Sequence, residues 1–182
     1  MHGSRNKRGI ALNLKSEQGL EALYRLVDRA DVFVTNLPLP VRRRMKISYE
    51  DLIARNPRLI YASFTAYGEQ GAEADKTGFD STAYWARSGL MDQVRPDSTS
   101  PPARAVAGMG DFPSGISLYA AIITGLYRRQ MTGKGGLVSS SLLANGLWTN
   151  SFLVQARLVG AEIPLRPKRS DSDSAMSNVY RT

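Results

Sequence analysis

Two apolar runs decide the fold of this chain: Asp31-Val32-Phe33-Val34-Thr35-Asn36 and Leu59-Ile60-Tyr61-Ala62-Ser63-Phe64-Thr65. Each run has the length and the β-branched or aromatic content of a buried strand. Between them, Ser48 is placed to cap a short helix over residues 49–55, which Pro57 stops. Because a helix separates the two strands, we expect them to lie side by side in a parallel sheet.

The segment before the first run extends this pattern. Residues 10–14 alternate between apolar and polar side chains and predict a short strand, and Ser16 is placed to cap a helix that continues to about Ala30. A turn with Pro38 and Pro40 follows the first run. The resulting strand–helix–strand–helix–strand order predicts an α/β fold, a Rossmann-like parallel sheet flanked by helices with ligand groups at the strand ends.

The second half of the chain repeats the alternation of helices and strands. The sequence predicts a helix over residues 79–90, a long helix after Asp111, a strand over residues 137–141 and a helix over residues 142–159. From residue 164 onward hydrophobic residues become scarce and Ser, Asp and Arg dominate. This last segment is predicted to be extended or disordered.

The composition excludes several classes of site. The 182 residues are enough for one domain with a core, and 42% hydrophobic with 22% charged residues is typical of a soluble protein. There is no cysteine, and the one histidine is His2, so disulfides, thiolate metal sites and multi-histidine metal sites are excluded. No apolar stretch has the length of a membrane span and no signal-peptide pattern opens the chain, so we expect a cytoplasmic protein.

The net charge of +8 points to anionic ligands. Basic residues gather at Arg5-Asn6-Lys7-Arg8, Arg42-Arg43-Arg44 and Arg166-Pro167-Lys168-Arg169. Such clusters bind phosphates of nucleic acids or of phosphorylated cofactors, or they form ordinary solvated surface. Because no recognition helix, zinc finger or aromatic RNA-binding signature accompanies them, we do not expect a nucleic-acid partner.

A glycine-framed carboxylate stands at Gly108-Met109-Gly110-Asp111-Phe112-Pro113-Ser114-Gly115, ahead of an apolar helix predicted over residues 116–127. Glycines let the backbone approach a ligand closely, and the free N–H groups at a helix start favour negative charge. Asp111 is therefore suited to covalent acyl chemistry, and equally to capping the helix. The local pattern leaves both interpretations open.

Several motifs, in order along nearly the whole chain, resemble the family III CoA-transferases, the CaiB/BaiF family that includes relatives of formyl-CoA transferase and carnitine CoA-transferase. These motifs are Asn6-Lys7-Arg8-Gly9-Ile10-Ala11-Leu12-Asn13-Leu14-Lys15, Ala30-Asp31-Val32-Phe33-Val34-Thr35-Asn36, Asn56-Pro57-Arg58-Leu59-Ile60-Tyr61-Ala62-Ser63, Thr77-Gly78-Phe79-Asp80, Gly110-Asp111 and Thr132-Gly133-Lys134-Gly135. Their combination is a far more specific signal than any one of them.

The resemblance implies that Asp111 is a catalytic nucleophile acting on coenzyme A thioesters, with no metal. Its carboxylate would attack a donor acyl-CoA to give a mixed anhydride, and the released CoA thiolate would convert this to an aspartyl-CoA thioester. A carboxylic acid acceptor would then take the CoA. Backbone N–H groups near Gly110 would hold the oxyanions.

The resemblance also implies four CoA-binding positions: Leu12, Lys15, Asn36 and Arg44. From the residues alone they are equally a core leucine, a solvated lysine, a turn asparagine and a surface arginine. Asp80 matches an acidic position that supports the reacting centre, and it is also a plausible helix cap.

Two departures from the family pattern bear on the chemistry. The family has an acidic residue before the position of Asn36 and a Pro-Gly turn after it, whereas this chain has Thr35 and Leu37-Pro38-Leu39-Pro40. Racemases of the same fold use a histidine at the position of Phe79, so we expect CoA transfer rather than racemisation. The alternatives are an acyl-CoA racemase, a dehydratase-type member of the same fold, and a non-catalytic basic domain that binds CoA or another polyphosphate.

The resemblance further implies that the chain is a central fragment. Residues 1–163 would be a partial CoA-transferase large domain, and residues 164–182 a polar linker leading toward a small domain. Family members are homodimers of interlocked subunits, so the full-length protein is expected to be a homodimer.

Overall fold

A three-stranded parallel sheet organises the part of the chain that the computed structural model describes, which is residues 5–172, 174–178 and 180. Strand β1 is Val32–Thr35, β2 is Ile60–Thr65 and β3 is Gly136–Ser141, and they lie in the order β1-β2-β3. All pairs are parallel, so the predicted parallel α/β sheet is confirmed. His2, Arg181 and Thr182 lie outside the described residues.

Helices cover the sheet on both faces. They are α1 (Glu17–Val27), α2 (Leu39–Arg44), α3 (Tyr49–Ile53), α4 (Leu90–Gln93), α5 (Asp111–Thr132), α6 (Leu142–Thr149) and α7 (Ser151–Leu158), with a π-helix at Asp80–Ala86 and 3₁₀ turns at Arg169–Asp171 and Ala175–Ser177. Among the described residues, none of these helices is both long and apolar enough to cross a bilayer.

The first face of the sheet carries α1 and α3. Val27, Leu52 and Tyr61 are buried there, and the Phe33 and Tyr61 rings lie 5.4 Å apart on neighbouring strands. Ser16 caps α1 as predicted, because its hydroxyl accepts the Gly19 N–H at 3.1 Å. Leu37, which lies just beyond the carboxyl end of β1, also packs against this cluster.

The second face carries α5, which lies against β2 and β3. Gly125 makes this close contact possible, since a Cβ there would lie 3.0 Å from Val138 Cγ1 and 3.3 Å from Ile60 Cγ2. At the carboxyl edge the Ser140 hydroxyl donates to the Ser114 carbonyl oxygen at 3.2 Å. The first turn of α5 therefore lies at the carboxyl edge of the sheet.

The far end of α5 fixes its direction. Near this end, Arg129 donates to the carbonyl oxygens of Asp31 at 3.3 Å and Arg58 at 3.0 Å, which precede β1 and β2. The helix therefore runs antiparallel to the sheet from the carboxyl edge to the amino edge. This orientation aims its positive N-terminal end at the side where α/β proteins bind ligands.

A second apolar cluster surrounds the π-helix. Tyr84, Trp85 and Leu142 are buried there. The Trp85 indole N–H donates to the Ala103 carbonyl oxygen at 2.7 Å, and the Tyr84 hydroxyl lies 2.9 Å from the Thr149 hydroxyl. The cluster ties the π-helix to α6 beside the carboxyl edge.

The strand predicted over residues 10–14 is wrong. These residues have no strand partner among the described residues, and Ile10 is 70% exposed. Alternation alone does not make a strand, because a strand exists only when a neighbour completes its hydrogen-bond ladder.

The helix predicted over residues 79–90 is also wrong in detail. A π-helix ends at Ala86, and Gly89, with φ of +84°, begins the separate helix α4. Likewise the helix predicted over residues 142–159 divides at Asn150, whose side-chain amide donates to the Ser88 carbonyl oxygen at 2.8 Å. In both places a tertiary requirement overrides the helical periodicity.

Two further elements differ from prediction because proline is tolerated in a first helical turn. The predicted turn with Pro38 and Pro40 includes the start of α2, which has Pro40 near its N-terminus. Helix α5 begins at Asp111 rather than at Ile116, with Pro113 in its first turn.

Residues 161–168 belong to neither a helix nor a strand. Arg166 anchors this segment: its carbonyl oxygen accepts the Ser98 N–H at 3.0 Å, and its guanidinium donates to the Arg95 carbonyl oxygen at 2.9 Å. The segment therefore packs along the loop after α4.

Candidate active site

Asp111 is the first residue of α5, and Gly110 is the residue that caps the helix. No side-chain capping hydrogen bond is formed at this end. The capping interpretation of Asp111 is therefore not supported, and its carboxylate remains exposed at the positive end of a 22-residue helix.

Two glycines shape the turn before Asp111. Gly108 has φ of +77°, a conformation that glycine adopts without strain. At Gly110 the reason is close approach, since a Cβ would lie 2.6 Å from Tyr84 Cβ and 2.9 Å from Asp80 Cβ. The absence of a side chain at Gly110 lets the turn lie directly against the π-helix.

Asp80 joins the π-helix to the same turn. Its Oδ2 accepts the Gly108 N–H at 2.9 Å, while its Oδ1 accepts the Ser81 N–H at 2.7 Å. The bond to Ser81 is a local contact in the first turn of the π-helix, whereas the bond to Gly108 joins Asp80 to a segment distant in sequence. The structure thus brings Asp80, Gly110 and Asp111 together.

The surroundings of Asp111 raise the pKa of its carboxyl group. Partial removal from water, followed by repulsion from the negative charge of Asp80, raises the pKa of Asp111 above its usual value of 3.8. A carboxylate with a raised pKa binds a proton, or forms a bond to an electrophilic carbon, more readily than a fully solvated one.

The backbone at this turn offers hydrogen-bond donors. Within the described residues, neither the Gly110 N–H nor the Asp111 N–H donates to another group. The first N–H groups of a helix have no partner inside the helix. They are available to stabilise an oxyanion that forms beside Asp111.

The four expected CoA positions lie before α1, directly after β1 and at the end of α2. Asn36 is exposed directly after β1, and Arg44 is exposed at the end of α2. Leu12 and the exposed Lys15 precede α1, where the Lys15 N–H donates to Asn13 Oδ1 at 3.1 Å. Among the described residues, no hydrogen bond or ion pair holds the Arg44 guanidinium.

Among the described residues, no hydrogen bond or ion pair joins these four positions to Asp80, Gly110 or Asp111. Asn36 follows β1, whereas α5 packs mainly on β3 and β2. Neighbouring strands are about 4.8 Å apart, so the ends of β1 and β3 are separated by about 10 Å. An extended ligand is needed to reach from Asn36 to Asp111.

Sequence reasoning missed Arg42. It treated Arg42-Arg43-Arg44 as one basic cluster, either a phosphate site or solvated surface, and Arg42 fits neither because its side chain is 2% exposed. The signal was the three-residue spacing of Leu39, Arg42 and Met45, which puts Arg42 on the same helix face as two apolar residues.

The family assignment follows from comparison with known proteins. The sequence model of CoA-transferase family III matches residues 1–182. The chain belongs to CoA-transferase family III. This family III chain is 36% identical over 176 residues to (R)-2-hydroxy-4-methylpentanoate CoA-transferase of Clostridioides difficile. The matched region covers 97% of the chain and 43% of that relative.

Other relatives support the assignment and widen the chemistry. The family III chain is 30% identical over 182 residues to the α-methylacyl-CoA racemase of Mus musculus, with 98% of the chain and 47% of the racemase covered. A crystal structure of a CAIB/BAIF family protein from Brucella suis superposes with a TM-score of 0.82 at 29% identity, covering 93% of the chain and 44% of that protein. The chain spans less than half the length of each of these relatives.

Proposed function

We propose that this chain carries the nucleophile of a CoA-transferase, which moves CoA between an acyl-CoA donor and a carboxylic acid acceptor. The observation that carries the proposal is the position of Asp111. Its uncapped carboxylate begins α5 at the carboxyl edge of the sheet, in contact with a glycine turn that Asp80 holds in place.

In the proposed reaction, the Asp111 carboxylate is the one nucleophile that the protein supplies. One carboxylate oxygen attacks the thioester carbon of the donor, the C–S bond breaks, and a mixed anhydride and CoA thiolate result. The thiolate attacks the Asp111 carbonyl carbon and releases the donor acid, leaving an aspartyl-CoA thioester. The acceptor carboxylate attacks the carbonyl carbon of this thioester, which releases CoA thiolate and leaves a second mixed anhydride. The thiolate then attacks the acceptor carbonyl carbon, which forms the new acyl-CoA and releases the Asp111 carboxylate.

The turn assists each of these steps. Every tetrahedral intermediate places negative charge on an oxygen, and the unpaired N–H groups of Gly110 and Asp111 can donate to it. Asp80 acts as support: it fixes the Gly108 N–H and keeps the turn packed on the π-helix.

We assign CoA binding to the four positions that the family resemblance implies. Lys15 and Arg44 supply positive charge for the phosphates, Asn36 supplies an amide at the end of β1, and Leu12 supplies apolar contact. Both basic side chains are exposed, and the net charge of +8 favours a polyphosphate ligand.

Racemisation is the second candidate, because a racemase is among the relatives. A two-base proton transfer requires a second acid–base group opposite the first. Phe79 precedes Asp80, and the one histidine of the sequence is His2. These residues favour transfer, and the same argument leaves the dehydratase-type alternative without a histidine base.

The organisation of the whole protein is also a proposal. We propose that residues 1–163 form part of the large domain, that residues 164–182 lead toward a small domain, and that the active protein is a cytoplasmic homodimer. Several apolar side chains are exposed on α5, and they support the proposed homodimer because such apolar patches mark interaction surfaces. They are Phe112, Ile116, Tyr119, Tyr127 and Met131.

Intact-mass spectrometry after incubation with an acyl-CoA tests the function. We expect a covalent adduct that hydroxylamine removes, that is absent in Asp111→Ala, and that persists in the matched control Asp75→Asn, an exposed carboxylate on the loop after β2. CoA binding without an adduct would instead indicate a non-catalytic binding domain. Tighter binding to DNA or RNA than to CoA would refute both CoA functions.

A further inference from the structure

Arg42 is the most deeply buried charged residue among the described residues, and its contacts lie at the carboxyl edge. The Nε–H donates to the Leu37 carbonyl oxygen at 2.6 Å, and Nη2 donates to the Thr35 carbonyl oxygen at 3.5 Å. These two carbonyls flank Asn36. One guanidinium therefore holds the backbone on both sides of that asparagine.

The same guanidinium reaches two further segments. Nη1 donates to Ser63 Oγ at 2.6 Å and to Glu69 Oε1 at 3.1 Å, and Nη2 donates to the Phe64 carbonyl oxygen at 3.1 Å. The Ser63 hydroxyl also donates to Glu69 Oε1. Arg42 thus joins the end of β1, the end of β2 and the loop that leads toward Asp80.

Burial makes this arrangement demanding. A buried guanidinium is stable only when acceptors satisfy its N–H groups and a nearby carboxylate balances its charge. Glu69, 24% exposed, supplies the negative charge, and backbone and hydroxyl oxygens supply the other acceptors. A planar fork with several N–H donors is needed to reach them at once, and a lysine ammonium does not have this geometry.

The neighbouring arginines show that this role is specific to Arg42. Arg43 is exposed and pairs with Asp75 at 2.9 Å. Arg44 is exposed at the end of the same helix. Three consecutive arginines therefore have three environments, and only Arg42 faces the strand ends.

We propose that Arg42 is a positioning residue for CoA binding, acting through the backbone around Asn36 and, by way of Glu69, through the loop that leads toward Asp80. The inference rests on the proposed function, because it takes Asn36 as a CoA contact. Arg42 itself touches no substrate. It sets the orientation of the Asn36 side chain by fixing the carbonyl groups on either side.

The test compares CoA affinity in Arg42→Lys and in the matched control Arg43→Lys, measured by calorimetry on the full chain with CoA itself as the probe. We expect Arg42→Lys to weaken binding about tenfold, because misplacing a ligand contact by a fraction of an ångström removes it. Arg43→Lys should bind like the unaltered chain. At saturating acyl-CoA the rate of Asp111 adduct formation should be retained in both variants.

Amide hydrogen exchange separates positioning from general stability. In Arg42→Lys, exchange should accelerate in residues 35–37 and 66–70 and stay unchanged in α5 and β3. If Arg42→Lys fails to fold, Glu69→Gln takes its place, since it keeps a hydrogen-bond acceptor and removes only the charge. The same pattern of weaker CoA binding and local exchange is then expected.

The outcomes distinguish this inference from the function on which it rests. Unchanged CoA affinity in Arg42→Lys, or in Glu69→Gln where that variant is used, overturns the positioning role alone. Uniformly faster exchange with equal losses of binding and adduct rate also overturns it, because that is the signature of a structural residue. An unaltered chain that binds no CoA refutes the proposed function and the positioning role together.

Discussion

Asp111 stands at the start of a long helix and yet makes no capping bond. A capping bond would engage one carboxylate oxygen and hold the side chain against its own helix. Because Gly110 caps the helix without a side chain, the Asp111 carboxylate is left for a ligand, and Asp80 accepts the Gly108 N–H of the turn.

The pairing of these carboxylates predicts a pH dependence. In the proposed reaction the nucleophile is the ionised form of Asp111, so the rate of adduct formation should fall as pH drops through the pKa of Asp111, which partial desolvation and then Asp80 raise. Asp80→Asn removes the repulsion and lowers the pKa of Asp111, so the acid limb of the pH–rate profile should move to lower pH.

Single-turnover adduct rates between acid and neutral pH provide the measurement. Asp75→Asn is the control, since its ion pair with Arg43 is exposed and separate from the turn. A limb that stays in place in Asp80→Asn, or moves to higher pH, would contradict the electrostatic coupling of the two carboxylates.

At the scale of elements, the site depends on how closely the Asp111 turn approaches the π-helix. Gly110→Ala places a methyl group 2.6 Å from Tyr84 Cβ, so one of the two segments must move. We expect a loss of about 1–3 kcal/mol in the free energy of unfolding, together with slower adduct formation. Urea denaturation and single-turnover kinetics measure the two effects.

Gly115→Ala is the matched control on the same helix, where a Cβ has open space. Because alanine is favoured over glycine within a helix, this variant should be more stable by roughly 0.5–1 kcal/mol. Equal stability and equal adduct rates in the two variants would show that close approach at Gly110 is not required.

The sequence predicted best those elements that are determined by residues close to one another in the chain. Apolar runs gave β1, β2 and β3 nearly to the residue, and the cap at Ser16 placed the start of α1. The strand over residues 10–14 failed because pairing is not local. The π-helix was missed because its period differs too little from that of an α-helix over seven residues.

In the candidate site, too, the sequence indicated the residues of one continuous motif but not the contacts between distant segments. Asp111 and its glycines form one continuous motif, so sequence could single them out. The bond from Gly108 to Asp80 and the contacts of Arg42 join segments distant in the chain. No local pattern records that the carbonyl groups at two strand ends converge on one guanidinium, so the burial of Arg42 had to come from the structure.

At the scale of the whole molecule, Asn36 and the first turn of α5, which begins at Asp111, lie at the carboxyl edge of the parallel sheet, and the basic composition gives the chain a net charge of +8. A ligand with an anionic end and a reactive end fits such an edge. The phosphates would bind near β1 and α2, and the thioester would extend toward α5.

This arrangement predicts a salt dependence. CoA affinity should fall on the order of tenfold as monovalent salt rises from about 0.05 M to about 0.5 M, because screening weakens contacts of exposed cations with phosphates. Pantetheine, which has the same thiol arm and no phosphate, is the matched ligand and should bind independently of salt. Calorimetry with both ligands measures this, and equal salt dependence for the two would refute phosphate binding by the basic edge.

The most direct test of the central claim is the location of the covalent intermediate. Borohydride reduces an aspartyl thioester to homoserine, so the chain is incubated with an acyl-CoA, reduced and mapped by peptide mass spectrometry. The account predicts homoserine at position 111 and at no other carboxylate. Homoserine at another position, or an intact Asp111 in a chain that has bound acyl-CoA, would contradict the assignment of Asp111 as the nucleophile.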